Sequence, residues 1–329
     1  MLEDLRDRLA RTRWPEQLAG DWAVGAPVDH VRELAEHWRT GYDWRAWEAR
    51  LNAHDPSVTE IDGARIHLLH VRSANPDALP LILTHGWPGS VVEFLGVIEP
   101  LREDFHLVIP ALPGYGFSGP CDGGWDVARI ARAWQTLMAG LGYERYGAQG
   151  GDWGSAVSRE LARIDGEHCV GVHLNMLFSP PLTDADRAEL PAADVERSDA
   201  ARNRYRALSG YMQIQARKPM SLAYGLHDSP AGQLAWIAEQ FHEWTDQPVD
   251  VDVLLTNVSI YWFTGTAGSS ARLYYESARN WGGSAPSQAP TGVAIFPADL
   301  AKPIRAVAER TNNIVRWTEM PRGGHFAAL

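Results

Sequence analysis

Short apolar runs alternating with helical stretches limit most what this chain can fold into. Leu79-Pro80-Leu81-Ile82-Leu83-Thr84 reads as a buried strand and Val91 to Leu101 as a helix. His106 to Pro110 is the next strand and Val127 to Leu141 the next helix. Tyr146 to Gln149, Ser155 to Ile164 and Cys169 to Leu174 continue the series as strand, helix and strand. Such alternation predicts an α/β fold, a mostly parallel twisted sheet with helices on both faces. Upstream, Val58 to Ile61 and Ala64 to Val71 flank Asp62-Gly63, a strong hairpin signal.

The pattern breaks after Asn175. Residues from about 180 to 285 are helical, aromatic and punctuated by proline, and the strand signal returns at Val293 to Phe296 and Ile314 to Trp317. A helical block inserted late between strands of one sheet reads as a lid. Residues 1–56 carry three apolar helical stripes: Leu2, Leu5 and Leu9; Val31, Leu34 and Trp38; Trp44, Trp47 and Leu51. The expected organisation is an N-terminal helical arm over 1–56, a core over 57–178 and 286–329, and a lid over 179–285. The sequence ends four residues after His325. An open sheet normally carries a covering helix there, so either the sheet is finished differently or the sequence is truncated.

A net charge of −11 argues against a nucleic-acid partner, which needs a basic stripe. Two cysteines, Cys121 and Cys169, make no disulfide framework. The charged N-terminus lacks a signal-peptide core, and no apolar run approaches the roughly 20 residues of a membrane span. A cytoplasmic protein without a membrane anchor, acting on a small molecule, is therefore expected; a homodimer is left open. The His and Cys positions show no zinc spacing, because His67 and His70 on one strand face opposite sides. No metal or organic cofactor is expected.

The chemistry centres on Gly150-Gly151-Asp152-Trp153-Gly154. This small-x-nucleophile-x-small pattern marks a sharp strand-to-helix elbow that lifts one side chain off the sheet. An aspartate there, where serine is common, points to attack on a saturated carbon and an ester that water must cleave. The competing reading is a helix-capping Asp152, and the pentapeptide alone does not choose. His85-Gly86-Trp87-Pro88-Gly89-Ser90 follows a strand and can aim the Trp87 amide at the elbow, beside the Trp153 amide, as an oxyanion hole. The His85 side chain reads as structural. His325 follows two glycines after the last strand, where a base belongs. Asp299 follows the preceding strand and would orient it, with Glu276 a weaker rival. Tyr211 and Tyr274 in the lid could protonate a strained ether oxygen, Tyr275 being the substitute. Among fourteen tryptophans, Trp153 and the lid residues Trp236, Trp244 and Trp262 hint at a bulky or aromatic substrate.

Together these pieces resemble the epoxide hydrolases of the α/β-hydrolase superfamily, in the branch with microsomal, juvenile-hormone and related actinomycete enzymes. Further elements of the resemblance are the arm (Leu5 to Pro15 and Tyr42 to Arg45), Pro113 to Ser118, and Gly323-Gly324-His325-Phe326. The resemblance implies Asp152 as nucleophile, His325 as base, Asp299 as its acid partner, and Tyr211 and Tyr274 as ring-opening acids. The branch usually has an extra stretch before the first helix and a helix after the His-Phe segment, and the segment from Leu101 to Phe105 here looks shorter than usual. The rivals are a haloalkane dehalogenase, which uses halide-stabilising N–H donors instead of phenols, and a non-catalytic shell that holds a hydrophobic ligand.

Overall fold

Eight strands form one sheet in the order β1-β2-β4-β3-β5-β6-β7-β8 in the computed structural model, which describes residues 1–18, 20–278 and 285–329. The strands are β1 (Pro56–Ile61), β2 (Ala64–Val71), β3 (Leu79–Thr84), β4 (Phe105–Pro110), β5 (Tyr146–Gly150), β6 (Cys169–Asn175), β7 (Ser287–Ile295) and β8 (Asn312–Glu319). The pair β1–β2 and the pair β2–β4 are antiparallel; from β4 onward every pairing is parallel. The hairpin turns on Asp62 and Gly63, whose φ values of 51° and 75° are the two positive dihedrals a tight two-residue connection requires. The central strands β3 and β4 are apolar along most of their length because helices cover both faces.

Three helices form the arm: α1 (Leu2–Ala10), α2 (Val28–Thr40) and α3 (Trp44–Asn52). The predicted stripes are their buried faces, including Leu5 and Leu9 on α1 and Val31, Leu34 and Trp38 on α2. Where one helix was expected over Val91 to Leu101, the chain instead makes a 3-10 turn at Val91–Phe94 and a single α turn, α4 (Ile98–Leu101). Ser90 caps this turn by accepting the Val92 amide. Three valines, Ile98, Gly96 and Pro100 then leave too few good helix formers to propagate it. Helices α5 (Val127–Gly140) and α6 (Trp153–Ile164) lie where the alternation put them.

Between β6 and β7 come α7 (Asp184–Glu189), α8 (Ala192–Leu208), α9 (Gly210–Arg217), α10 (Pro219–Asp228), α11 (Pro230–Glu243), α12 (Val251–Thr264) and α13 (Ala267–Ser277). The arm packs on this block. Trp38 Nε1 donates to Ser259 Oγ at 2.8 Å, and the Tyr42 hydroxyl pairs with Thr256 Oγ1 at 2.8 Å, both partners on α12. Strand β7 starts six residues before the expected Val293, because Pro290 and Gly292 disguise it at two register shifts against β8. A short helix, α14 (Arg305–Ala308), links β7 to β8. After β8, Phe326 stacks on Phe241 of α11 with ring centroids 4.0 Å apart. Among the described residues no helix is long and apolar enough to cross a membrane.

Candidate active site

The parallel strands β3, β5, β7 and β8 all deliver a candidate residue just beyond their carboxyl ends, the edge where open α/β sheets bind ligands. At the end of β5 the chain turns through Asp152, with φ 50° and ψ −129°, directly into α6. A non-glycine residue there is strained. The turn depends on two glycines. A Cβ on Gly150 would lie 2.0 Å from the Gly154 carbonyl oxygen, and one on Gly154 would lie 1.8 Å from that of Thr84.

Asp152 sits at the N-cap of α6 but makes no side-chain capping bond. Its carboxylate turns away from the helix and is buried. The Trp87 amide donates to Oδ1 at 2.7 Å, and His325 Nε2 lies 3.3 Å from Oδ2. Gly86 makes room for this approach, since a Cβ there would be 2.1 Å from Asp152 Oδ1. Trp153, whose amide follows Asp152 in the chain, is the first residue of α6.

The loop bearing Trp87 is fixed from both sides. His85 Nε2 accepts the Leu112 amide at 3.2 Å, so its Nδ1 donates to the Gly86 carbonyl at 3.0 Å. Burial lowers this imidazole to about 4 and keeps it neutral, which suits the structural reading of His85. From α12, Asn257 Nδ2 donates to the Pro88 carbonyl at 2.5 Å and the Tyr261 hydroxyl to that of Gly89 at 2.7 Å. Neither clamp was anticipated, because nothing in a helical sequence names the loop it will touch.

His325 Nδ1 lies 2.8 Å from Asp299 Oδ1, which also accepts the Leu300 amide at 2.7 Å. Both residues are buried. Burial alone would lower the imidazole, but the carboxylates of Asp152 and Asp299 outweigh it and raise it to about 10. The rival Glu276 is engaged elsewhere, accepting the Gly124 amide at 2.9 Å.

Above the carboxylate stands a group of aromatic rings. Tyr211 on α9 and Tyr274 on α13 are buried with centroids 5.8 Å apart. Trp87 stacks on Tyr211 at 5.0 Å, and Trp153 meets Tyr274 edge-on at 4.8 Å. Burial raises both phenols well above their ordinary value; the charge of Asp152 adds to this, and for Tyr274 Tyr211 contributes as well. Tyr275 is 56% exposed, so of the two neighbours Tyr274 is the phenol that joins this group.

The lid tryptophans divide. Trp244, just after α11, packs 4.9 Å from His325 and 5.2 Å from Tyr211. Trp236 donates to Gln215 Oε1 at 3.1 Å, one turn along α9 from Tyr211. Trp262 does not join the rings around Asp152. It lies against the arm, its ring 5.8 Å from the guanidinium carbon of Arg8, because one step along α12 turns it about 100° away from Tyr261. The site also holds Glu93, unforeseen, although a lone carboxylate inside Val-Val-Glu-Phe-Leu was a legible signal. Among the described residues no group of three or more His, Cys, Asp or Glu could hold a metal ion.

Two family models match the chain: an epoxide hydrolase N terminus over residues 1–94 and the α/β hydrolase fold over residues 80–213. A Stigmatella aurantiaca protein whose assigned name is that of an epoxide hydrolase is 44% identical, the alignment covering 100% of this chain and 79% of that protein. Juvenile hormone epoxide hydrolase 2 of Ctenocephalides felis is 34% identical over 100% of this chain and 80% of its own. The solved structure of the Aspergillus niger epoxide hydrolase superposes with a TM-score of 0.89 at 34% identity, covering 100% of this chain and 89% of that one. A haloalkane dehalogenase of Bradyrhizobium elkanii, 17% identical over 83% of this chain and 91% of its own with a TM-score of 0.60, shares the fold alone.

Proposed function

The chain belongs to the epoxide hydrolase family of the α/β-hydrolase fold, and we propose on that premise that it opens epoxides to vicinal diols through an ester on Asp152. One observation carries the ester. The Asp152 carboxylate sits on a helix N-terminus it does not cap, with one oxygen held by the Trp87 amide and the other facing His325.

In the first half-reaction Oδ2 attacks a ring carbon of an epoxide held under the aromatic rings. The carbon–oxygen bond of the ring breaks, and a proton from Tyr211 or Tyr274 quenches the alkoxide. Phenols this deeply buried stay protonated until such a base appears. General acids of this kind supply about 10²–10⁴ in rate. Attack makes the Asp152 group neutral, which removes one of the two carboxylates that raise His325. The imidazolium becomes more acidic, and its proton returns to the phenolate.

In the second half-reaction neutral His325, oriented by Asp299, takes a proton from water as the water oxygen attacks Asp152 Cγ. Oδ1 carries the negative charge against the Trp87 amide, with the Trp153 amide as second donor. The Cγ–Oδ2 bond then breaks. Oδ2 leaves with the diol, taking the imidazolium proton, and Asp152 keeps the water oxygen. The two buried phenols favour an epoxide over a haloalkane, whose departing halide needs no proton. The organic skeleton of the epoxide would lie among Trp153, Trp236 and Trp244.

A single turnover with enzyme in excess, in oxygen-18 water and with an aryl epoxide, tests the ester. The first-turnover diol should be unlabelled and Asp152 labelled. Label in that diol would overturn the reading.

A further inference from the structure

A cavity touches Asp152 and His325 and is lined by neither Tyr211 nor Tyr274. It measures about 20 Å³. A single water needs roughly 10–15 Å³ of such space and two to four polar partners, so the cavity suits water and excludes an organic epoxide. Its polar wall is Thr84, Glu93, Gln149, Asn175, Asp152 and His325. The wall has a spare acceptor: Gln149 Nε2 donates to Asn175 Oδ1 at 3.3 Å, while Gln149 Oε1 is buried without a partner. Glu93 folds inward over Gly89, where a Cβ would come within 1.4 Å of its Oε1. A part-buried, inward-turned carboxyl and an orphaned amide oxygen thus face a water-sized space beside the base.

We propose that this cavity seats the hydrolytic water, with Glu93 and Gln149 as positioning residues that hold it between His325 Nε2 and Asp152 Cγ. This rests on the ester reading above. One water hydrogen points to His325, to be transferred as the oxygen–Cγ bond forms. The other is accepted by Gln149 Oε1 or the Glu93 carboxyl, and stays with the oxygen that Asp152 retains. Burial raises Glu93 to about 8 against the pull of His325. At neutral pH it is mostly an uncharged acid whose carbonyl oxygen still accepts. Water thus reaches the carboxylate from a side that neither phenol lines.

The test separates the half-reactions. Glu93→Leu keeps the size and removes the acceptor; Glu93→Gln keeps an acceptor and is the rescue. In stopped-flow single turnovers, Glu93→Leu should form the ester within about 3-fold of the wild-type rate and hydrolyse it about 10- to 100-fold more slowly, as for one lost hydrogen bond. In the steady state kcat and KM should fall together and kcat/KM should hold. Acid quenching should then trap more esterified Asp152 for mass spectrometry. Glu93→Gln should hydrolyse at near the wild-type rate, and Gln149→Leu should repeat the hydrolysis defect should Glu93→Leu fail to fold. Wild-type ester hydrolysis in both leucine variants, or equal loss in both half-reactions, overturns the assignment. If the wild type itself forms no ester, the reading beneath it fails instead.

Discussion

Replacing Gly154 by alanine probes how tightly the elbow sets the chemistry. The new Cβ would lie 1.8 Å from the Thr84 carbonyl oxygen and 3.0 Å from that of His85, both rigid backbone atoms at the end of β3. A tolerable contact requires the start of α6 to retreat by about 1.2 Å, an overpacking that costs about 1–3 kcal/mol. The same retreat draws Asp152 away from the Trp87 amide and stretches a bond that is 2.7 Å long. A displacement of about 1 Å at a reacting group costs about 100-fold in rate. Gly154→Ala should therefore lower kcat/KM for diol formation about 100-fold and lower Tm by several degrees. Gly140→Ala is the control: nothing lies within 4 Å of its Cβ, so activity should hold and stability should change by less than about 1 kcal/mol. A Gly154→Ala protein with wild-type Tm and kcat/KM would refute the claim that the glycine is required by contact.

Tyr274→Phe should slow ester formation about 10- to 100-fold, one of two acids being lost, while Tyr275→Phe, altering a ring that is 56% exposed, should leave turnover unchanged; equal effects in stopped-flow would undo the assignment of the second phenol. The pH dependence of stability follows from His325, raised to about 10 from its free value of 6.5. A raised pKa contributes stability that is fully present below about pH 6.5 and lost as pH climbs toward 10. Urea unfolding between pH 6 and 10 should thus show a steeper decline for the wild type than for His325→Gln, and parallel curves would refute the paired imidazolium.

Much of this was legible because the decisive signals are local. Strands β3 to β6 announce themselves through short apolar runs, and the glycines around Asp152 mark a turn that other residues would block. His325 and Asp299 follow strand ends, where a base and its partner are expected, and they meet at 2.8 Å although 26 residues separate them. What stayed hidden depends on distant partners. The stretch from Val91 to Leu101 has an apolar helical pattern, yet Ser90 and the inward turn of Glu93 make it a cap and a bend. Trp262 and Trp244 look alike in sequence, but only Trp244 has His325 for a neighbour. Glu93 was passed over because a single charge in an apolar run usually reads as a solvent-facing exception.

The bond from Tyr261 to Gly89 gives the arm a stake in the proposed chemistry, which it never touches. Trp38 and Tyr42 grip α12, α12 grips the loop, and the loop presents the amide that meets Asp152. The opening fifty-odd residues thus work as scaffolding bolted to a single nitrogen. An engineer trimming them to make a smaller protein would keep Asp152, His325 and both phenols and still loosen the loop that holds the Trp87 amide in place.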